Sequence, residues 1–217
     1  MKILIATPAY GGLVYSKYTE SLVYTCFMLK MMNIEFELKY INNQIVTRAR
    51  NMCSSIFLDN ESFTHMLFID ADVVWNPMDV QKLIMHKKEC VVGVYPNKCY
   101  HWRGGKLTLD PSSVIKEPLE EKDGLARLKY GATGFMLIAR SALEKIKDDV
   151  ETFYLPGSEG QKVKLYNFFD CKVIDEDYLT EDYYFSHLLN KNGGEIYADM
   201  SIRLTHMGTH EYGELIL

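Results

Sequence analysis

The sequence predicts an α/β domain built on a doubly wound, largely parallel sheet. Three observations predict it. Short apolar runs alternate with segments whose apolar residues recur at helical spacing. The 217 residues, 47% hydrophobic and 24% charged, show no compositional break that would mark a linker, so the chain reads as one domain. Two carboxylates, Asp70 and Asp72, stand one residue apart after the apolar run His65-Met-Leu-Phe-Ile69, at the strand end where open α/β sheets bind ligands.

The elements follow in order. Lys2 to Thr7 is apolar and β-branched and stops at Pro8, as a buried first strand does. Ser16 is placed to cap a helix reaching about Met32, with Leu22, Val23, Cys26, Phe27 and Leu29 at helical spacing. Ile34 to Tyr40 alternates apolar and charged residues and predicts a half-exposed strand. Asn42-Asn43 turns the chain into a helix from about Ile45 to Leu58, followed by the strand His65 to Asp70, a helix opening at Pro77 and a strand from Cys90 to Tyr95. Pro96 to Asp123 carries turn formers without a helical period and reads as a long loop over one end of the sheet. Strands are predicted at Leu125 to Tyr130, Phe135 to Ala139 and Val163 to Phe169, and a helix from Ser141. A further helix runs from Glu181 to about Asn190, ended by Gly193-Gly194, before two short strands at Glu195 to Ala198 and Ile202 to His206.

The formal charge of −5 argues against a protein that mainly grips a nucleic-acid backbone. Five dispersed cysteines without a C-x-x-C pair read as reduced thiols of a cytoplasmic protein, not as a disulfide framework or zinc site. The apolar N-terminus is one strand long, too short for a signal peptide or a membrane span. The abrupt apolar end Glu214-Leu-Ile-Leu217 suggests one domain of a longer protein.

Side chains alternate along a strand, so Asp70 and Asp72 point the same way. Paired hard oxygen donors suit Mg²⁺ or Mn²⁺, and through the metal a diphosphate. A solvated acidic turn explains the pair equally well on its own. The first strand ends in Thr7-Pro-Ala-Tyr-Gly-Gly12, where glycines admit a ligand to the backbone and Tyr10 is placed to stack on a base. It is neither a phosphate-binding Gly-Lys-Ser/Thr loop nor a G-x-G-x-x-G fingerprint. Arg48 and Asn51 share a helix face, with Arg50 pointing elsewhere, and a guanidinium there suits a phosphate or base carbonyl. His206 suits a metal already held by a carboxylate, with His210 as a competitor. Glu181 and Asp182 lie in the first turn of a helix, where the macrodipole stabilises carboxylates whether they cap or catalyse. As catalysts they would serve as a general base, stabilise a cationic sugar or hold an acceptor hydroxyl.

Taken in order, Thr7 to Tyr10, Arg48-Ala-Arg-Asn51, Phe68-Ile-Asp-Ala-Asp72, Val91 to Pro96, Gly131-Ala-Thr-Gly-Phe-Met136, Glu181-Asp182 and His206-x-Gly208 resemble the GT-A glycosyltransferases, and most of all the compact domains of large algal DNA viruses that glycosylate a capsid protein. The resemblance spans nearly the whole chain. It implies a GT-A, Rossmann-like mixed and mainly parallel sheet flanked by helices. Residues 1–95 would form a nucleotide-binding half and 96–217 an acceptor-binding half. It also implies transfer of a hexose from a nucleoside diphosphate sugar, with UDP favoured, to a glycan or glycoprotein acceptor, in the host cytoplasm if viral. By resemblance Thr7, Ala9, Tyr10, Arg48, Asp70, Ala71 and Gly134 line the donor site. Asp72 and His206 hold Mn²⁺ or Mg²⁺, with Asp70 shared between metal and ribose. Asp182, beside Glu181, is the base of inverting members. A sugar nucleotidyltransferase shares this layout but usually carries a basic residue in its first glycine-rich loop, and here the first lysine after Gly11-Gly12 is Lys17. A non-catalytic glycan-binding module, with Asp70 and Asp72 as surface acids, is the other alternative.

Overall fold

A computed structural model of the chain describes residues 1–115, 121–122, 124–157, 160–208 and 210–213. Part of the expected Pro96 to Asp123 loop and the C-terminal run from Glu214 lie outside them. The first half is β1 (Lys2–Pro8), α1 (Ser16–Met31), β2 (Glu35–Ile41), α2 (Val46–Asp59), β3 (His65–Ile69), β4 (Val73–Val74), α3 (Pro77–Met85) and β5 (Cys90–Val92). There follow β6 (Pro96–Arg103), β7 (Lys106–Pro111), β8 (Val114–Ile115), β9 (Glu121–Lys122), β10 (Leu125–Tyr130), β11 (Phe135–Ala139) and α4 (Arg140–Ile146). The chain continues through β12 (Thr152–Pro156), β13 (Lys162–Tyr166), β14 (Lys172–Ile174), β15 (Asp177–Leu179), α5 (Glu181–Lys191), β16 (Ile196–Asp199), β17 (Thr205–Met207) and β18 (Glu211–Tyr212).

The central sheet has nine strands in the order β2-β1-β3-β11-β5-β16-β10-β8, with β9 beside β10. β1, β2, β3, β5, β8, β9 and β16 run one way, and β10 and β11 run against them. The strands alternate between two cores. Leu4, Ala6, Met66 and Phe68 pack with Cys53 and Phe57 of α2 on one face. Ile3, Ile5, Leu67 and Ile69 pack with Tyr18, Leu22 and Leu29 of α1 on the other. A slip of one residue would exchange the faces, so burial on both sides fixes the register. β2 and β3 flank β1, so the order of strands reverses there, and ligands bind beyond such a switch point.

Several expectations are corrected. α1 does start at Ser16, but Tyr15 is its N-cap and no side chain caps it. Pro96 to Pro111 is not a loop: β6 and β7 pair antiparallel across Gly104-Gly105, both at positive φ, the conformation a two-residue hairpin turn requires. The strand expected from Val163 to Phe169 ends at Tyr166 and pairs with β12, a strand not expected from the sequence. Among the described residues all five cysteines are free, and no helix is long and apolar enough to cross a membrane.

Candidate active site

The chain leaves β1 through Ala9 to Gly12, where Gly11 and Gly12 take φ of 66° and 73° and reverse it. The turn leaves Tyr10 exposed beside a cleft of about 590 Å³, which is lined also by Asn43, Gln44, Asp70, Ala71 and Asp72. Thr7 and Ala9 are buried and shape this loop from beneath. The Thr7 hydroxyl lies 2.6 Å from the Tyr18 hydroxyl, and the Ala9 N–H donates to the Ile41 carbonyl. Ala71 is held by its carbonyl, which accepts the Tyr15 N–H at 3.1 Å. Arg48 is exposed and faces an adjoining depression that shares Asn43 and Gln44 with the cleft.

Asp72 is positioned by strand pairing from far along the chain. β4 follows it directly and pairs with β17, so that His206 stands opposite Val73 and the Met207 N–H donates to the Asp72 carbonyl at 2.7 Å. His206 Nε2 lies 3.5 Å from Asp72 Oδ1, and its Nδ1 lies 3.0 Å from the Pro96 carbonyl. With Nδ1 at the carbonyl, Nε2 faces Asp72, where it donates to the carboxylate when protonated and can bind a metal when not. Lys98 of β6, which had no signal in the sequence, places Nζ 2.5 Å from Asp72 Oδ2. Burial pushes the Asp72 carboxyl up, but His206 and then Lys98 outweigh it and hold it below the usual carboxylate range.

The donor set fits a divalent ion. Asp72 Oδ1 and His206 Nε2 supply one hard oxygen and one imidazole nitrogen, a pairing that suits Mn²⁺. No group of three or more His, Cys, Asp or Glu ligands exists among the described residues. Water and substrate oxygens would fill the remaining positions, as is usual for small divalent ions on phosphates.

Asp70 belongs to a different environment. Arg50, 4% exposed, places Nη2 3.1 Å from Asp70 Oδ2, with a hydrogen bond, and 3.0 Å from Oδ1. Its Nε lies 3.4 Å from Glu181 Oε1. Burial works against the guanidinium charge, but Asp70 and then Glu181 more than offset it and hold Arg50 protonated. Arg50 therefore ties the end of β3 to the first turn of α5, contrary to the expectation that it points away. Asn51 is structural: it bonds the Phe169 backbone on both sides, donating to the carbonyl and accepting from the N–H, each at 2.9 Å. Arg50 Nη1 and Asp70 Oδ1 are buried without a hydrogen-bond partner among the described residues, although Oδ1 keeps its ion pair with Arg50 Nη2.

Gly134 completes this end. Its carbonyl accepts the Asp70 N–H at 3.0 Å, its N–H donates to the Tyr95 hydroxyl at 3.1 Å, and a Cβ would overlap that phenol. Burial, then Asp70 and Asp182, push the Tyr95 hydroxyl far up, so it stays neutral. Asp182 Oδ1 accepts from the Thr180 hydroxyl and the Tyr183 N–H at 2.5 and 2.9 Å. Burial, with Glu181 beside it, pushes the Asp182 carboxyl up. The sequence-selected Asp70, Glu181 and Gly134 thus meet around Arg50 and Tyr95, while Asp72 and His206 form a second cluster.

The fold is a mixed, mainly parallel sheet with helices on both faces and a carboxylate pair at the switch point, the layout that the resemblance to GT-A enzymes implies. No family model and no curated protein matches the chain. Among solved structures, A197 from STIV is similar at 20% identity over 96% of this chain and 86% of its own, with a TM-score of 0.56. GalNAc-T7, solved with UDP, GalNAc and Mn²⁺, is 9% identical over 96% of this chain, with a TM-score of 0.49. TarS from S. aureus, solved with UDP-GlcNAc, is 14% identical over 98%, with a TM-score of 0.46. The chain spans 44% and 58% of those last two structures.

Proposed function

We propose that the protein is a divalent-metal-dependent glycosyltransferase that moves a hexose from a nucleoside diphosphate sugar, UDP-linked by preference, to a glycan or glycoprotein acceptor. The observation that carries this reading is the convergence of Asp72 and His206 beside a cleft that also holds Tyr10 and Asp70. In it, Tyr10 stacks on the base, Asn43 and Gln44 supply polar contacts and Arg48 meets the nucleotide from the adjoining rim. Asp70 meets the ribose through the part of its carboxylate that lines the cleft, with Arg50 holding it in place. Asp72 and His206 hold Mn²⁺ or Mg²⁺, which when bound neutralises charge on the departing diphosphate.

Asp182 is the general base. As the acceptor oxygen bonds to the anomeric carbon and the bond to the diphosphate oxygen breaks, the acceptor proton passes to a carboxylate oxygen of Asp182. Its raised proton affinity suits that task. A screen of nucleotide sugars with and without Mn²⁺ tests the reading. Donor hydrolysis or transfer that excess chelator abolishes supports it. Pyrophosphate release from a nucleoside triphosphate would instead assign a nucleotidyltransferase, and full activity in chelator would remove the metal from the account.

A further inference from the structure

We propose that the chain pairs with a second copy of itself through the outer edge of β2, the two strands running antiparallel about a two-fold axis at Leu38. β2 ends the nine-stranded sheet, so one row of its backbone donors and acceptors faces outward. Its register with β1 sets Phe36, Leu38 and Tyr40 beside Ile3, Ile5 and Thr7, on the α1 side of the sheet. Glu37 and Lys39 stand beside Leu4 and Ala6, on the α2 side. Leu38 is 42% exposed and Tyr40 is exposed as well. Leu38 and Tyr40 thus leave apolar side chains open at the sheet edge, as association surfaces do.

The charges on the strand identify the occupant. A two-fold antiparallel pairing keeps every side chain on its own face, so it must centre on a single residue. Centred on Leu38, it sets Glu37 against Lys39 of the second copy, twice, and Phe36 against Tyr40. Centred on Glu37 or on Lys39, it sets that charge against its own copy. Opposite charges directly across a strand pair stabilise it and like charges oppose it. A lysine on an edge strand by itself blunts pairing, but here the two-fold brings a glutamate to it. Glu37 lies 2.6 Å from Lys2 Nζ within its own chain, and a carboxylate has lone pairs for a second cation.

Sedimentation equilibrium of the wild type, Lys39→Glu, Glu37→Lys and the double exchange tests the pairing, with circular dichroism to confirm folding. The wild type is expected to dimerise. Each single reversal raises the dimer Kd about tenfold or more, because like charges then face each other. The double exchange restores the opposite pairs and the dimer. Leu38→Asp weakens the dimer independently, because the two-fold then sets two carboxylates against each other. A wild type that stays monomeric at every concentration, or a double exchange no better than the singles, overturns the proposal. So does a monomer whose exposed face binds vesicles of anionic lipid.

Discussion

Asp70 and Asp72 leave the same strand end two residues apart, yet they belong to two differently built regions. Around Asp70 the shared partner is buried: Arg50, 4% exposed, bridges Asp70 to Glu181. Around Asp72 the partners come from segments far along the chain, the more exposed Lys98 on a hairpin and His206 on a short strand. The difference teaches that one motif serves two ends. A buried guanidinium between two carboxylates is a rigid fixture, whereas a half-exposed carboxylate beside an imidazole nitrogen can exchange partners.

Variants at each end separate the two roles. The largest effect is expected at Asp182, on the buried side. Asp182→Asn should lower kcat by about 10²–10⁴-fold. In the wild type the base must be ionised, so kcat falls as pH drops through the raised value. Its acid limb should lie above the ordinary aspartate range near ~3.9, and Asp182→Asn should abolish that limb in a pH–rate profile. Next comes Arg50→Leu, which strands Asp70 and Glu181 in the interior. It should cost about 3–5 kcal/mol of stability in urea titrations. Asp72→Ala should instead leave the urea midpoint nearly unchanged and lower kcat by about 10²–10³-fold. If Arg50→Leu proved as stable as Asp72→Ala, the contrast between the two ends would fail. The smallest effect is expected at Tyr10: losing a stacked ring should weaken nucleotide binding by about 0.5–1.5 kcal/mol in calorimetry, with the fold intact.

The alternation of strands and helices was legible because strands buried on both faces read as continuous apolar runs, set apart from the helical period of 3.6 between them, in residues 2–95. Asp70, Asp72 and the α5 acids could be read because strand ends and helix starts are local features. Arg50 was misjudged, although a signal was present. It stands three and seven residues before Cys53 and Phe57, on the buried stripe of α2, and an arginine on an apolar stripe must find carboxylates. The β6–β7 hairpin was likewise marked by Gly104-Gly105. Lys98 carried no such mark, since its contact with Asp72 arises from a pairing across 26 residues that no local pattern encodes. His206 was legible as a residue, but its distance from Asp72 depends on the β4–β17 register.

The central claim is that Asp72 and His206 together hold a divalent ion in the presence of nucleotide. Electron paramagnetic resonance titration of Mn²⁺ with UDP tests it directly, in wild type, Asp72→Ala and His206→Ala. The account predicts bound Mn²⁺ in the wild type, at least about tenfold weaker binding in His206→Ala and loss of protein-dependent binding in Asp72→Ala. Equal Mn²⁺ binding by all three proteins would contradict it.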